Sequence, residues 1–264
     1  METQTCALVE SDVRERVGWI TLQNPAKRNV LSARLIAQLL ETLDAFKNDR
    51  IPVAVLRAPS GTNVWSAGHD ITELPRHGRD PLGYNDPLEQ LLRAVQQYPG
   101  VVMAMVSGTV WGGACDLVLT CDIAIGDAST SFAITPAKIG LPYNVSGIQH
   151  FISRLGLNRA KEMFVTGRPV DAEHARRWGI LNNLVEADAL EPFTTSMSAD
   201  IAANSPLAIA AIKEQFRTLD NARPVSAETF ERIQGLRRKV YDSHDYTEGI
   251  EAFIEKRPPV FRGD

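Results

Sequence analysis

The chain is poor in cysteine and has no strong excess of either charge. Its 264 residues include three cysteines, and 28 Lys and Arg residues stand against 32 Asp and Glu residues, for a formal net charge of −4. No CxxC or His–Cys ligand spacing occurs, so the cysteines are expected to be free thiols in a reducing compartment, and no metal site is predicted. The basic residues are scattered, which argues against a nucleic-acid partner.

Long hydrophobic runs and targeting signals are also missing. The most apolar stretch, residues 101–125, is interrupted by Asp116, Asp122 and a pair of glycines, so it is interpreted as a core segment and not as a membrane span. Residues 1–4 have neither the basic nor the apolar region of a secretion signal. A content of 44% hydrophobic and 23% charged residues is typical of a globular protein. The expected location is cytoplasmic, with no membrane partner.

What the sequence contains instead is an alternation of apolar strands and amphipathic helices. Strands are predicted at 8–13, 17–22, 52–57, 101–106 and 122–125. Helices are predicted after an N-cap at Ser32, at 86–97 and at 113–120. Loops therefore follow the carboxyl ends of strands, which is where α/β proteins bind ligands.

From residue 145 the pattern is helical. Three helix starts are predicted from capping pairs and a first-turn proline, namely Asp188 with Glu191, Pro206, and Asp245 with Glu248. The order of elements predicts a mixed α/β core over residues 1–200 and a helical region over 201–264. The helical region could pack on its own core or on a neighbouring subunit, and the sequence favours neither.

Two glycine-containing loops, at 65–71 and 110–116, each end an apolar run and begin a new element. Glycine lets the backbone approach a ligand closely and adopt angles that other residues avoid. Two such loops side by side would offer two free backbone N–H groups to one oxygen, which is what an oxyanion hole requires. Spacing alone leaves an equal alternative, that both loops are ordinary turns.

Along its whole length the chain resembles the enoyl-CoA hydratase/isomerase (crotonase) superfamily. The resemblance rests on an ordered set of short motifs at 29–32 (NVLS), 66–71 (SAGHDI), 112–114 (GGA), 121–124 (CDIA) and 253–257 (FIEKR). It implies an α/β crotonase fold, a spiral of ββα units followed by a C-terminal helical trimerisation region. A homo-oligomer, either a trimer or a dimer of trimers, is therefore expected.

The resemblance also implies an acyl-CoA substrate and a thioester enolate held by the backbone N–H groups of His69 and Gly113. A hydratase of this family needs two glutamates, one as base and one as acid. Here the matching positions are Asp116 and Ala137, so hydration is disfavoured. Asp116 is left open between a catalytic role and a structural one at a helix N-terminus.

Tyr143, in the motif at 141–144 (LPYN), takes the place of the acid–base pair. The stretches at 56–61, 78–82, 230–235 and 240–243 are similar to family members that release CO2 from methylmalonyl-CoA. This resemblance implies decarboxylation to propionyl-CoA, with the Tyr143 hydroxyl donating a hydrogen bond that positions the substrate carboxylate. Asp116 or water is left as the proton donor to the enolate.

Two groups of binding residues are implied. The acyl group is expected to lie near Ala67, Gly68, His69, Asp70, Ile71, Gly113, Thr135 and Tyr143. The CoA nucleotide is expected near Lys27 and near Phe253 and Lys256, which share a helix face and come from an adjacent subunit. Coenzyme A is part of the substrate, and no metal, biotin or other cofactor is expected. His77, His150, His174 and His244 are not predicted to form a site.

Alternatives remain within and outside this chemistry. Another crotonase-type activity is one, either an enoyl-CoA hydratase or isomerase or a decarboxylase of malonyl-CoA or ethylmalonyl-CoA. A non-catalytic, RNA-binding relative is another, which the net charge of −4 disfavours.

Overall fold

Strand and helix alternate regularly through the first two thirds of the chain in the computed structural model, which describes residues 7–76, 78–220 and 225–264. The strands of these described residues are β1 (Val9–Arg14), β2 (Val17–Leu22), β3 (Val53–Arg57), β4 (Val64–Ser66), β5 (Val101–Val106), β6 (Thr109–Trp111), β7 (Ile123–Gly126), β8 (Ser131–Ala133), β9 (Val170–Asp171) and β10 (Asn183–Leu184). The α-helices are α1 (Ala33–Asn48), α2 (Pro87–Gln97), α3 (Gly113–Thr120), α4 (Val145–Leu155), α5 (Leu157–Thr166), α6 (Ala172–Trp178), α7 (Leu190–Ala203), α8 (Pro206–Asp220), α9 (Ala227–Tyr241) and α10 (His244–Glu255).

Two sheets organise these elements. The larger has the order β1-β2-β3-β5-β7-β10, and the smaller has the order β4-β6-β8-β9. The pairs β2–β3, β3–β5, β5–β7, β4–β6 and β6–β8 are parallel. One strand of the large sheet, one of the small sheet and a helix thus recur as β3-β4-α2, β5-β6-α3 and β7-β8-α4, which is the repeated ββα unit that was predicted.

The apolar pattern determines which elements lie at the centre. Residues 53–56 of β3 and 102–106 of β5 are buried, as expected for parallel strands covered on both faces. On α1 the apolar residues that recur at helical spacing form one face, which is half-buried at Leu40 and buried at Leu35, Ile36, Leu39, Leu43 and Phe46. The Ser32 hydroxyl accepts a hydrogen bond from the N–H of Leu35 over 3.3 Å, so the predicted N-cap is confirmed.

Two predicted capping boxes are wrong. Helix α7 continues from a 3-10 turn, Ala187–Ala189, so its backbone is already helical at Ala189 and no side chain caps it. Helix α10 is capped by Ser243, whose hydroxyl accepts from the N–H of Tyr246 over 3.3 Å. The carboxylate of Asp245 instead accepts from the N–H groups of Arg262 and Gly263. Pro206 does begin α8, as predicted.

The last two helices pack on the core of their own chain. Arg237 of α9 forms an ion pair with Asp80, and the hydroxyl of Tyr246 in α10 donates to the carbonyl oxygen of Pro75 over 2.6 Å. A Cβ atom added to Gly249 would collide with the carbonyl of Ile139, so α10 lies tightly against the segment that follows Thr135. Among the described residues, no helix combines the length and apolar character needed to span a bilayer.

Candidate active site

The two glycine loops lie side by side because they follow adjacent parallel strands, β4 and β6. A Cβ atom added to Gly68 would collide with the carbonyl oxygen of Trp111 and lie 3.0 Å from the backbone nitrogen of Gly113. The φ angle of Gly68 is +82°, a conformation that residues with a side chain rarely adopt. Glycine at 68 is therefore what permits the two loops to touch.

The backbone N–H groups of His69 and Gly113 are the two predicted donors. The loop at 65–71 forms a parallel bridge with Leu31, in which Leu31 donates to Gly68 and Asp70 donates to Leu31, so the bridge does not use the N–H of His69. Gly113 is the first residue of α3, where N–H groups have no acceptor within the helix. A Cβ atom added to Gly113 would lie 3.5 Å from the nitrogen of His69. The arrangement is suited to an oxygen that gains negative charge, and the N-terminus of α3 adds to it.

Tyr143 and His150 meet on the carboxylate of Asp116. The Tyr143 hydroxyl donates to Oδ2 of Asp116 over 2.9 Å, and Nδ1 of His150 lies 2.7 Å from Oδ1. Asp116 lies in the first turn of α3, fully buried, and its two oxygens are directed to these side chains and not to the helix end. Burial raises the pKa of Tyr143 well above its ordinary value, and the charge of Asp116 raises it further. The phenol is therefore a hydrogen-bond donor at neutral pH.

A second carboxylate, Glu89 of α2, lies in the same buried region. It accepts from Nδ2 of Asn144 over 2.6 Å and from the hydroxyl of Ser146 over 2.9 Å. Burial raises the pKa of Glu89, these two hydrogen bonds lower it, and the charge of Asp116 raises it, with a net upward shift. The site thus holds two carboxylates although one of the two glutamate positions of a hydratase carries alanine. Ala137 brings none and is exposed, but Asp116 and Glu89 are both present.

The imidazole of His69 is held by Asp86 and by the backbone of Asp70. Its Nε2 lies 3.2 Å from Oδ2 of Asp86, which also caps α2, and its Nδ1 lies 3.1 Å from the carbonyl oxygen of Asp70. Burial lowers the pKa of His69, but the hydrogen bond and charge of Asp86 raise it, and the net shift is upward. These contacts fix the loop that presents the His69 N–H.

The remaining predicted residues occupy separate positions. Thr135 is half-buried and immediately precedes the 3-10 turn Pro136–Ile139, while Lys27, Phe253 and Lys256 are exposed. The prediction that Phe253 and Lys256 share a helix face is wrong, because α10 ends at Glu255 and Lys256 has a left-handed φ of +56°. Ala67 and Ile71 are half-buried on either side of Gly68, His69 and Asp70. The binding roles of these residues remain predictions.

His150 and Glu89 are the site residues that the sequence analysis missed. One signal was available, because Ser146 and His150 lie four residues apart in α4, directly after the motif that contains Tyr143, and so share a helix face. Gly147 on the next position leaves room for Tyr143 and Asp116, since an added Cβ atom would collide with the Tyr143 ring and lie 2.7 Å from Oδ2 of Asp116.

Other concave or metal-like features lie elsewhere. A cleft of about 950 Å3 is lined by the loop after β3 and the start of α7, and a cavity of about 200 Å3 is lined by residues of α5 and α6; neither includes a predicted site residue. In the part of the chain that the structure describes, one group is spaced to hold a metal ion: His244, Asp245 and Asp264. The position of the Asp245 carboxylate in this group is explained by the hydrogen bonds that it accepts from the N–H groups of residues 262 and 263.

Comparison with known proteins indicates the same family that the sequence motifs resemble. The sequence profile of the enoyl-CoA hydratase/isomerase family matches residues 12–264. The methylmalonyl-CoA decarboxylase of Escherichia coli (strain K12) is 45% identical over 248 residues, which cover 94% of this chain and 95% of that protein. The solved structure of methylmalonyl-CoA decarboxylase in complex with 2-nitronate-propionyl-CoA has a TM-score of 0.95 and 44% identity, covering 97% of this chain and 99% of the other.

A second solved structure, methylmalonyl-CoA decarboxylase complexed with 2S-carboxypropyl CoA, has a TM-score of 0.95 and 44% identity, covering 97% of this chain and 98% of the other. These matches extend over nearly the full length of both chains, so they include the two loops as well as α9 and α10. The predicted crotonase fold is thereby confirmed, and the chain belongs to the enoyl-CoA hydratase/isomerase family.

Proposed function

We propose that the protein is a carbon–carbon lyase that decarboxylates methylmalonyl-CoA to propionyl-CoA and CO2. The observation that carries this proposal is the 45% identity, over nearly the whole of both chains, to a methylmalonyl-CoA decarboxylase. The site supports it, because the paired N–H groups and Tyr143 are present while position 137 carries alanine.

In the proposed reaction the thioester oxygen accepts hydrogen bonds from the N–H groups of His69 and Gly113. As the bond to the carboxylate breaks, its electron pair enters the carbonyl π system and forms the enolate. Fixed donors stabilise this charge without reorganisation, and the loss of one donor of this kind costs on the order of a hundred- to a thousandfold in rate. One proton is then taken up for each CO2 released.

Tyr143 positions the carboxylate that leaves. The breaking bond must stand perpendicular to the thioester plane, and a hydrogen bond from the phenol to the substrate carboxylate holds it there. A phenol has a single proton, which Asp116 accepts in this structure. On substrate binding the hydroxyl therefore turns from Oδ2 of Asp116 to the substrate carboxylate.

Coenzyme A enters as part of the substrate, and we propose that no metal, biotin or other cofactor takes part. We assign residues 1–200 to the core with the acyl-CoA site, and Lys27, Phe253 and Lys256 to contacts with the nucleotide. Activity is expected to survive dialysis against EDTA. A loss that added Mg²⁺ or Zn²⁺ restores would contradict this assignment.

We further propose that residues 201–264 mediate assembly into a trimer or a dimer of trimers. The support is the exposed apolar surface of α8, where Leu207 is 84% exposed and Phe216 and Leu219 are each 70% exposed. Large exposed apolar patches mark interaction surfaces. Light scattering of the purified protein tests the stoichiometry.

The function is tested by incubating the purified protein with methylmalonyl-CoA and, separately, with crotonyl-CoA. We expect CO2 release from the first and little loss of the enoyl chromophore from the second. Rapid hydration without CO2 would overturn the proposal in favour of a hydratase, the alternative that Asp116 with Glu89 favours. Inactivity on both thioesters, and on malonyl-CoA and ethylmalonyl-CoA, would favour a non-catalytic binding protein.

A further inference from the structure

We infer that His150 is a specificity-determining residue, which admits a carboxylated acyl group by neutralising Asp116. The inference rests on the proposed function, because the substrate of that reaction brings a carboxylate to Tyr143. The phenol oxygen already lies 2.9 Å from a carboxylate oxygen of Asp116. Two carboxylates that share one phenol repel each other unless a positive charge lies beside them.

His150 is placed to supply that charge. Its Nδ1 lies 2.7 Å from Oδ1 of Asp116, the oxygen that Tyr143 does not use. On the other side, its Nε2 lies 2.9 Å from the amide nitrogen of Gln96, and the imidazolium requires this amide to turn by 180° so that its oxygen accepts the hydrogen bond. The side chain of Asp116 is 1% exposed and that of His150 is 18% exposed, so water screens this pair only weakly.

Among residues 7–76, 78–220 and 225–264, the charged groups that face His150 are acidic and lie on three helices. They are Asp116 on α3, Glu89 on α2 and Asp220 at the end of α8, with the Tyr143 phenol bonded to Asp116. Burial lowers the pKa of His150, but the charge and hydrogen bond of Asp116 raise it, as do the charges of Glu89 and Asp220, and the net shift is upward. The surroundings therefore favour the imidazolium.

The loss of this charge has a specific consequence. Without the imidazolium, the carboxylate of Asp116 beside Tyr143 has no cationic partner, and a substrate carboxylate meets its full repulsion. An acyl group of the same shape without a charge meets none. The effect of His150 is therefore on the affinity for carboxylated ligands and not on the affinity for CoA derivatives in general.

The test compares 2-carboxypropyl-CoA with its carboxamide, two unreactive ligands that differ in charge, by calorimetry on wild type and on His150→Asn. Asparagine places an amide nitrogen near the position of Nδ1, so it retains a donor to Asp116 and removes only the charge. We expect roughly tenfold or more weaker binding of the carboxylate, a change of the size of one lost charge interaction. Binding of the carboxamide is expected to change by less than about twofold.

Two further variants sharpen the test. In Asp116→Asn/His150→Asn the negative charge in contact with Tyr143 is removed together with the imidazolium, and affinity for the carboxylate is expected to recover toward wild type. His174→Asn removes an imidazole of α6 that pairs with an exposed aspartate, Asp171, and is expected to leave both affinities unchanged. Wild-type affinity for the carboxylate is also expected to fall as pH rises through the pKa of His150, and this dependence disappears in His150→Asn.

Equal weakening of both ligands in His150→Asn, or no weakening of either, would overturn the role of His150. If His150→Asn does not fold, His150→Ala with the same ligand pair decides the matter in the same way. Assays of wild-type CO2 release separate the two proposals. No release overturns the proposed function, whereas normal release with unaltered ligand preference in His150→Asn overturns this inference alone.

Discussion

The hydroxyl of Tyr143 donates its one proton to Oδ2 of Asp116 over 2.9 Å, inside the core of the protein. A substrate carboxylate that binds at Tyr143 must take over this hydrogen bond, so Asp116 and the substrate compete for the same donor. Moving the phenol away from Asp116 costs less free energy because Nδ1 of His150 still contacts the other carboxylate oxygen. In the proposed reaction, substrate positioning thus depends on three side chains and not on Tyr143 alone.

Tyr143→Phe is expected to lower kcat for decarboxylation by about a hundredfold, because the leaving carboxylate is no longer held perpendicular to the thioester. The affinity for propionyl-CoA should change little, since that ligand has no carboxylate to position. Steady-state CO2 release and calorimetry with propionyl-CoA measure the two quantities. An unchanged kcat would remove Tyr143 from the mechanism.

Gly68→Ala is expected to abolish most activity and destabilise the protein, because the new Cβ atom would collide with the backbone carbonyl of Trp111. The matched control is Gly61→Ala. Gly61 has nearly the same φ, +78° against +82°, but nothing lies within 4 Å of an added Cβ atom. Thermal unfolding and CO2 release should therefore show a much larger loss for Gly68→Ala. Equal losses would mean that backbone strain, and not contact between the loops, is what glycine 68 relieves.

Five of the six described strands of the large sheet and most helices could be predicted because their signals are local, whereas β10, with two residues, was missed. Residues 53–57 and 101–106 are continuous apolar runs, and the face of α1 repeats at helical spacing. The small sheet was missed because β4, β6 and β8 have three residues each, too few for an alternating pattern. The two capping-box predictions failed because α7 continues from a 3-10 turn and because the Ser243 hydroxyl caps α10.

The sequence analysis located the parts of the site that depend on the backbone and on short motifs, and it missed the contacts that depend on how helices pack together. The glycine loops follow strands whose order along the chain indicates that they are neighbours. The contact between His150 and Asp116 joins α4 to α3, and Glu89 reaches Asn144 from α2. A polar side chain on an amphipathic helix is most often solvated, so apart from the shared helix face of Ser146 and His150 no local pattern distinguishes Glu89 and His150 from surface residues.

His69→Gln is expected to retain decarboxylation within about tenfold, because the proposed donor is the backbone N–H and not the imidazole. The same variant should change the pH dependence of stability. The pKa of His69 is raised in the folded protein, so its stabilisation is full below the ordinary histidine pKa of about 6.5 and is lost as pH rises through the raised value. Wild type should therefore lose more stability than His69→Gln between about pH 6 and pH 9.

Urea unfolding at the two pH values and CO2 release measure both effects. Loss of more than about a hundredfold in kcat would indicate that the imidazole itself acts in the reaction. Identical pH dependence in the two proteins would show that the pair of His69 with Asp86 contributes nothing to stability as it titrates.

Arg237→Met is expected to destabilise the protein by about 2–4 kcal/mol, somewhat less than at full burial because the side chain of Asp80 is 24% exposed. Arg237 is 5% exposed and donates through both terminal nitrogens to Asp80, each over 2.5 Å. Its Nε also donates to the carbonyl oxygens of Pro142 and Tyr143 over 3.3 and 3.1 Å. The variant should therefore also lower kcat, since the backbone that carries the Tyr143 phenol loses a support.

Arg217→Met provides the comparison, because Arg217 forms an exposed pair with Glu214 on α8 and should change stability much less. Arg237→Lys should restore only part of the lost stability, because lysine keeps the charge but lacks the planar fork that binds a carboxylate through two nitrogens. Urea unfolding and kcat for decarboxylation distinguish the contributions. If a variant at position 237 is less stable but has an unchanged kcat, Arg237 joins α9 to the loop of Asp80 and takes no part in placing Tyr143.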